Sequence, residues 1–249
     1  MRGTSDARHS VSGVLVLNGG DEFKPGNDEQ DRILASAARG PAYVVPTAAA
    51  RQGPEQAVAH ATKWFGQLGL ELRELPVLKR TDANSKEMAE LARSGGFFYL
   101  VGGDPGLVAQ VLAGSRVWAE MFAAWTGGAA LAGSSAGAMA LCSHTLIRAT
   151  WPDRTQRRPH DALGVVPNTA VLPHYDTFGH KWIESAQREL PGTTLLGVDE
   201  RTAAIWRDGR WSAAGPGVVT VINGGDKKSF QSGAEIEGLA APVRKLPQE

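Results

Sequence analysis

The sequence predicts an α/β protein in which a mostly parallel sheet is flanked by helices. Short apolar runs, each ending in Gly or a polar residue, alternate with segments that have helical spacing. Such alternation is typical of a parallel sheet, because crossover helices cover both of its faces and leave the strands apolar on either side. The predicted strands are Val14–Leu17, Ala42–Val45, Phe97–Val101, Ala129–Ala132, Val171–Leu172 and Leu195–Val198.

One covering helix is predicted for residues 55–70. Its apolar side chains recur at helical spacing, which places them on one face, and a Gly near its end acts as a stop signal. We therefore expect a surface helix that packs on the sheet. The apolar residues are Val58, Ala61, Trp64, Phe65 and Leu68.

The pattern changes between Ile205 and Gly224, where short strands flank the dipeptide Asp208-Gly209. Asp-Gly favours a tight hairpin turn, so we interpret this segment as an antiparallel edge of the same sheet. A single α/β domain is expected over residues 12–249. Residues 1–11 are polar and are predicted to be a disordered or expression-derived leader.

Composition excludes several classes of partner and site. Lys plus Arg and Asp plus Glu each total 26, so there is no electrostatic reason to expect binding to nucleic acid or an anionic membrane. Cys142 is the only cysteine, which rules out an intramolecular disulfide and a cysteine-based zinc site. The apolar run Val14–Leu17 is too short for a signal or membrane segment. A cytoplasmic protein with a small substrate is the expectation.

The strongest chemical signal is Gly133-Ser134-Ser135-Ala136-Gly137, which follows an apolar strand and precedes an Ala-rich helical segment. Strand, G-x-S-x-G turn and helix together form a nucleophile elbow, which exposes the central hydroxyl at the top of the sheet. Ser135 is the predicted nucleophile. The N–H of Ala136 would lie at the helix N-terminus, where it can stabilise a developing oxyanion.

A second Gly turn, Gly102-Gly103-Asp104, follows the strand Phe97–Val101 and opens another helical segment. Binding clefts of open α/β sheets form at the carboxyl ends of strands. The N–H groups of Gly103 and Ala136 are therefore candidates for a two-donor oxyanion hole.

A serine nucleophile needs a base, and the chain offers six histidines. We predict His174, because it ends a short apolar run and so falls at the same rim as the elbow, with His180 as the second choice. His9 lies in the leader and His60 lies within the predicted amphipathic helix. The remaining two are His144 and His160.

The imidazole in turn needs a carboxylate that fixes its tautomer. Glu200 and Asp199 end the strand Leu195–Val198 and are the first candidates, with Asp176 and Asp153 as alternatives. No histidine follows His180, so the order of Ser, acid and His found in α/β-hydrolases is absent.

Four segments together resemble the dipeptidase E and cyanophycinase family of serine peptidases, whose fold is akin to the class I glutamine amidotransferase domain. They occur in the family's order and at similar separations, and the resemblance extends from about Val14 to Ile222. The segments are VGGD at 101–104, GSSAGAM at 133–139, PHY at 173–175 and GVDERTA at 197–203.

The resemblance implies a role for each candidate residue. Ser135 would be the nucleophile, His174 the base and Glu200 the acid partner, while Gly103 and Ala136 would donate to the oxyanion. It also implies that neither a metal nor a cofactor takes part.

Two departures concern the substrate. Cyanophycinases carry a Gln near the GGD motif and an arginine-rich stretch after the catalytic His, where this chain has Pro105 and the stretch 175–181. Dipeptidase E enzymes, which remove N-terminal aspartate, carry an arginine in the helix after the His. Aligning His180-Lys181 with the similar pair in those enzymes puts Ser185 at that position.

Aspartate preference therefore needs another cation, and Arg188, one turn beyond Ser185, is the candidate, with Lys181 and Arg201 also near in sequence. Asp104 is the candidate partner for a free substrate N-terminus. The sequence thus predicts an exopeptidase for small peptides. The alternatives are a cyanophycinase-like peptidase and an inactive binding protein with an amidotransferase-like fold.

Overall fold

The computed structural model describes residues 12–148 and 156–246, and in these ranges the chain forms two sheets with helices packed around them. The strands of the first sheet are β1 (Leu15–Asn18), β2 (Ala42–Val45), β3 (Leu72–Glu74), β4 (Phe97–Leu100), β5 (Ala130–Ser134), β10 (Ala203–Arg207) and β11 (Arg210–Ala214). Those of the second are β6 (Cys142–Arg148), β7 (Arg157–Asp161), β8 (Val166–Leu172), β9 (Thr194–Val198), β12 (Val219–Asn223) and β13 (Asp226–Phe230). The helices are α1 (Asp28–Ala37), α2 (Pro54–Gln67), α3 (Arg80–Ala83), α4 (Lys86–Ser94), α5 (Pro105–Leu112), α6 (Arg116–Thr126), α7 (Ala136–Leu141) and α8 (Ile183–Glu189).

The first sheet has the order β11-β10-β1-β5-β4-β2-β3. Five neighbouring strands pair in parallel, in the order β1, β5, β4, β2 and β3. β10 pairs antiparallel with both β1 and β11. The predicted fold class is confirmed. The edge hairpin is also as predicted, since Asp208 and Gly209 both have positive φ, as a tight two-residue turn between twisted strands requires.

The second sheet was not predicted as a separate unit. Its order is β13-β12-β9-β8-β6-β7, so the predicted strands Val171–Leu172 and Leu195–Val198 belong to it and not to the first sheet. The expectation of one sheet was wrong on this point, because an apolar run shows that a strand is buried and does not show which strand it pairs with.

Buried side chains cover both faces of the first sheet. Leu15 and Leu17 of β1 join one apolar cluster, while Val16 and Val14, the residue before the strand, join the other, as the alternation of strand side chains requires. The second cluster is closed by α1 and by α2, whose buried residues Ala61, Trp64 and Phe65 lie on the predicted face. The carboxyl ends of the parallel strands are left free for a site.

Within the two described ranges, no helix combines the length and the apolar character that crossing a bilayer would need.

A buried carboxyl group lies on α1. Asp31 is 0% exposed, and Trp64 Nε1 donates to its Oδ2 at 2.8 Å, while Oδ1 has no hydrogen-bond partner in the part of the chain that the structure describes. Burial raises the pKa of Asp31 from 3.8 to about 8, against the opposing effect of the Trp64 hydrogen bond. The group is therefore protonated at neutral pH.

This carboxyl group should make stability depend on pH. Between its ordinary pKa of 3.8 and about pH 8, the folded chain holds a proton that the unfolded chain has released. The contribution of Asp31 to the free energy of unfolding should then fall with rising pH by about 1.4 kcal/mol per pH unit and level off above pH 8. Asp31→Asn, which carries no charge, should flatten this dependence and be more stable than the wild type near pH 8.

Urea unfolding at several pH values across this interval measures the effect. Asp208→Asn is the matched control, because its side chain is 70% exposed and Asn-Gly also favours the hairpin turn. Parallel pH profiles for Asp31→Asn and the wild type would contradict the assignment.

Candidate active site

Ser135 lies on a sharp turn between β5 and α7, with φ 48° and ψ −107°. The two glycines of the motif are required by close packing. A Cβ on Gly133 would lie 2.4 Å from the carbonyl carbon of Gly137, and one on Gly137 would lie 2.3 Å from the carbonyl oxygen of Leu100. The turn thus has the strained backbone of a nucleophile elbow, with the Ser135 side chain at the carboxyl edge of the sheet.

Three predicted site residues meet in a hydrogen-bonded row. His174 Nε2 lies 3.1 Å from Ser135 Oγ, and His174 Nδ1 lies 2.7 Å from Glu200 Oε1. Both the histidine and the glutamate are only partly exposed, at 20% and 24% of their side chains. With Glu200 ionised, Nδ1 carries the proton that it donates, so Nε2 is left free to accept the proton of Ser135.

Backbone carbonyl groups at the end of β1 and just after it bind the three loops that contain Ser135, His174 and Glu200. The carbonyl of Asn18 accepts from Ser135 N at 3.0 Å, and that of Gly19 accepts from His174 N at 2.7 Å. The carbonyl of Gly20 accepts from Arg201 N, next to Glu200, at 2.9 Å. Three successive carbonyls therefore fix the spacing of the side chains that meet at the site.

The His174 ring is held between two neighbours. A Cβ on Gly20 would lie 2.3 Å from His174 Cε1, so the glycine backbone packs directly against the ring. Phe178 stacks on His174 with ring centroids 4.8 Å apart and an interplanar angle of 20°. His174 itself has φ 48°, a strained conformation of the kind that clusters at active sites.

The alternative acids that the structure describes form hydrogen bonds to backbone groups and not to the His174 ring. Asp199 Oδ2 accepts from Val218 N at 2.9 Å, and burial raises the pKa of this carboxyl. Asp176 Oδ1 accepts from the backbone N–H of Glu200 at 3.0 Å, so it braces the residue that does contact His174. Asp153 and the leader 1–11 lie outside the described residues.

The Gly102–Gly103 loop lies beside the elbow. A Cβ on Gly102 would be 3.6 Å from Ser135 Cβ, and Gly103 has φ 141° with no room for a Cβ next to the carbonyl oxygen of Ala48. Within the described ranges the Gly103 N–H donates to no other group, and Ala136 is the first residue of α7, so its N–H has no acceptor in that helix. Both predicted oxyanion donors are therefore available.

The other predicted residues have hydrogen-bond or ion-pair partners outside the Ser-His-Glu row. His180 Nδ1 donates to the carbonyl of Tyr175 at 2.9 Å. Asp104 Oδ1 accepts from the backbone N–H groups of Gly106 and Leu107 and so caps α5. Arg188 is 58% exposed in the last turn of α8, with its Nε 3.3 Å from Glu189 Oε1. The substrate-binding roles of Asp104 and Arg188 stay predictions.

Sequence reasoning missed the segment that follows β1. Asn18, Gly19 and Gly20 organise the site, and Glu22 two residues on contacts both the elbow and the Gly102 loop. The Gly19-Gly20 pair could have indicated this segment, because it directly follows a buried strand, as the Gly102-Gly103 turn does.

Within residues 12–148 and 156–246, no group of three or more His, Cys, Asp or Glu side chains is arranged to hold a metal ion.

Comparisons with known proteins give the family and the fold. The sequence model of peptidase family S51 matches residues 14–213, while a search of curated protein sequences gave no match. A solved structure of a peptidase from an acI-B1 Actinobacterium is similar with a TM-score of 0.79 at 31% identity, covering 91% of this chain and 97% of that one. A structure described as a peptidase E protein from Listeria monocytogenes EGD-e has a TM-score of 0.54 at 18% identity, covering 88% of this chain and 98% of that one. At this identity the similarity concerns the fold alone, which is of the class I glutamine amidotransferase-like type.

Proposed function

The chain belongs to peptidase family S51 and is a serine peptidase, and on that premise we propose that it is an exopeptidase of the dipeptidase E type with a Ser135–His174–Glu200 triad. The observation that carries the proposal is the hydrogen-bonded row from Ser135 Oγ through the His174 ring to Glu200 Oε1. A nucleophile, a base and an orienting carboxylate in hydrogen-bond contact are the arrangement that acyl transfer needs.

The reaction would proceed through an acyl-enzyme. His174 Nε2 takes the proton of Ser135 as Oγ attacks the substrate carbonyl, and the N–H groups of Gly103 and Ala136 stabilise the tetrahedral oxyanion. The imidazolium, balanced by Glu200, returns the proton to the leaving amine. Water activated by the same imidazole then hydrolyses the ester.

Arg157, which was not predicted from the sequence, is a candidate partner for an acidic substrate side chain. The guanidinium carbon of Arg157 on β7 lies 3.9 Å from the ring centroid of Trp182, and Trp182 neighbours Phe178, which stacks on His174. Arg157 Nε is buried with no hydrogen-bond partner in the described ranges. Ser185, at the position of the family's arginine, contacts the Arg157 backbone N–H with its Oγ at 3.4 Å. This cation supports Asp-X dipeptides as the first substrates to test.

A panel of substrates tests the proposal. X-Ala dipeptides, their N-acetyl derivatives and cyanophycin are incubated with the protein, and the released amino acids and β-aspartyl-arginine are quantified by mass spectrometry. We expect free dipeptides to be cleaved at least about tenfold faster than the N-acetyl forms, since a binding site for an ammonium group contributes at least that much. Faster cleavage of N-acetyl peptides would contradict the exopeptidase function, and efficient release of β-aspartyl-arginine from cyanophycin would favour the cyanophycinase alternative.

A further inference from the structure

Glu22 places a carboxylate beside the nucleophile elbow. Its Oε2 accepts from Ser134 Oγ at 3.0 Å, and its Oε1 accepts from Gly102 N at 3.0 Å. A methyl group placed on Gly102 Cα would lie 2.9 Å from Glu22 Oε1 and 3.6 Å from Ser135 Cβ. The carboxylate and the nucleophile therefore border the same small space on one side of Gly102.

The charge of Glu22 has no cationic partner within the described part of the chain. Neighbouring acids are paired: Asp21 lies within 4 Å of both Lys24 and Arg201, and Glu200 contacts His174. Glu22 instead accepts from one neutral hydroxyl and one neutral amide. The side chain is half-buried, so water screens this charge only in part.

An unpaired carboxylate at this place conflicts with the proposed chemistry unless the substrate supplies a cation. Negative charge develops on the substrate oxygen beside the Gly103 and Ala136 N–H groups, and a fixed anion nearby opposes it. Asp31, the other acid close to Glu22, is protonated at neutral pH because burial raises its pKa to about 8. The neutral Asp31 therefore adds no second negative charge at this place.

The substrate of an exopeptidase that acts at a free N-terminus carries a cation close to the carbonyl group that the serine attacks. In a free N-terminal residue the ammonium nitrogen is two bonds from the carbonyl carbon that the serine attacks, which places them about 2.5 Å apart. A carboxylate that binds this ammonium must then lie beside the nucleophile. Asp104, predicted for this role from the sequence, makes its side-chain hydrogen bonds to the N-terminus of α5, whereas those of Glu22 go to the elbow and to Gly102.

We propose that Glu22 binds the α-ammonium group of the substrate and so selects peptides with a free N-terminus. This inference rests on the proposed exopeptidase function and names the residue that sets its specificity. The bound ammonium also neutralises the carboxylate before the oxyanion forms. The competing role for Glu22 is purely structural, as an anchor for the Gly102 loop.

The two roles differ in their effect on substrate preference. Glu22→Gln removes the charge and keeps an oxygen that can accept from Gly102 N, while its NH2 group faces Ser134 Oγ, a hydroxyl that can accept as well as donate. We expect kcat/KM for the best free X-Ala dipeptide to fall by about tenfold to a hundredfold, the range for a charge-assisted hydrogen bond. The value for its N-acetyl derivative should not fall, because that substrate brings no ammonium group to pair with the carboxylate, so the preference for a free N-terminus should collapse. Equal losses on both substrates would assign Glu22 the structural role and overturn the proposal.

Asp21→Asn is the matched control, because it removes one negative charge from the same loop at a residue that is already paired with Lys24 and Arg201. It should leave the preference for a free N-terminus unchanged. Loss of the preference in this variant as well would mean that the overall charge of the loop, and not Glu22, is responsible.

A binding measurement separates this proposal from the proposed function. With Ser135→Ala protein, calorimetric titration of Asp-Ala and Leu-Ala should show tighter binding than their N-acetyl forms, and adding Glu22→Gln should abolish the difference. Equal affinities, or no binding of either dipeptide, would overturn the role of Glu22 whatever the enzyme cleaves. If the difference is present but no dipeptide is hydrolysed by the wild type, the exopeptidase function fails while the ammonium site stands.

Discussion

Ser135→Ala should reduce kcat by about 10⁴- to 10⁶-fold on the best X-Ala dipeptide, because without the hydroxyl no acyl-enzyme can form. Activity that remains would come from the oxyanion donors and from binding alone. Steady-state kinetics measures the loss, and circular dichroism with thermal unfolding verifies that the variant is folded.

The neighbouring serine provides the control. Ser134 is 0% exposed and its Oγ donates to Glu22, so it cannot reach a substrate carbonyl from that position. Ser134→Ala should retain far more activity than Ser135→Ala. A folded Ser135→Ala protein with more than a few per cent of wild-type turnover, or a larger loss from Ser134→Ala, would show that the nucleophile is misassigned.

His174→Ala should cost nearly as much as loss of the nucleophile, since the members of a triad act as a unit. Glu200→Gln should cost up to about 10⁴-fold in kcat, because an amide at the 2.7 Å contact can stabilise the wrong imidazole tautomer and cannot balance the imidazolium. The fall should appear in kcat more than in KM, as these groups act on the reacting atoms and not on substrate binding.

Two control variants separate these roles from structural ones. His180→Ala should keep most of the activity, because His180 contacts the carbonyl of Tyr175 and not the triad. Asp199→Asn should lower stability more than turnover, since Asp199 holds Val218 at the join of β9 and β12. If Glu200→Gln left kcat unchanged while Asp199→Asn abolished it, the acid would have to be reassigned.

Much of this arrangement could be predicted from local sequence. Ser135 and Gly103 sit on strand-turn-helix segments whose glycines have no room for a Cβ, so the motif itself reports the backbone geometry. His174 and Glu200 follow buried strands, which places them at the carboxyl rim of a sheet. The hairpin at Asp208-Gly209 was predictable because its turn requires residues that tolerate positive φ.

Other features depend on long-range pairing, which a single sequence does not display. β8 and β9 belong to the second sheet because of the strands they pair with. A buried strand has the same apolar sequence pattern whichever strand it pairs with, so the sequence does not show this. Glu22 gave no signal, because a polar residue in a loop is most often solvated, and only the fold brings it to Gly102 across 80 residues of chain.

Labelling with a fluorophosphonate tests the central claim, a covalent mechanism at Ser135, most directly. Such probes phosphonylate serines that an adjacent base activates. Intact mass and peptide mapping should show one adduct, on Ser135, which is absent from Ser135→Ala and forms much more slowly in His174→Ala. An unlabelled wild-type protein, or an adduct on any other residue, would contradict the account.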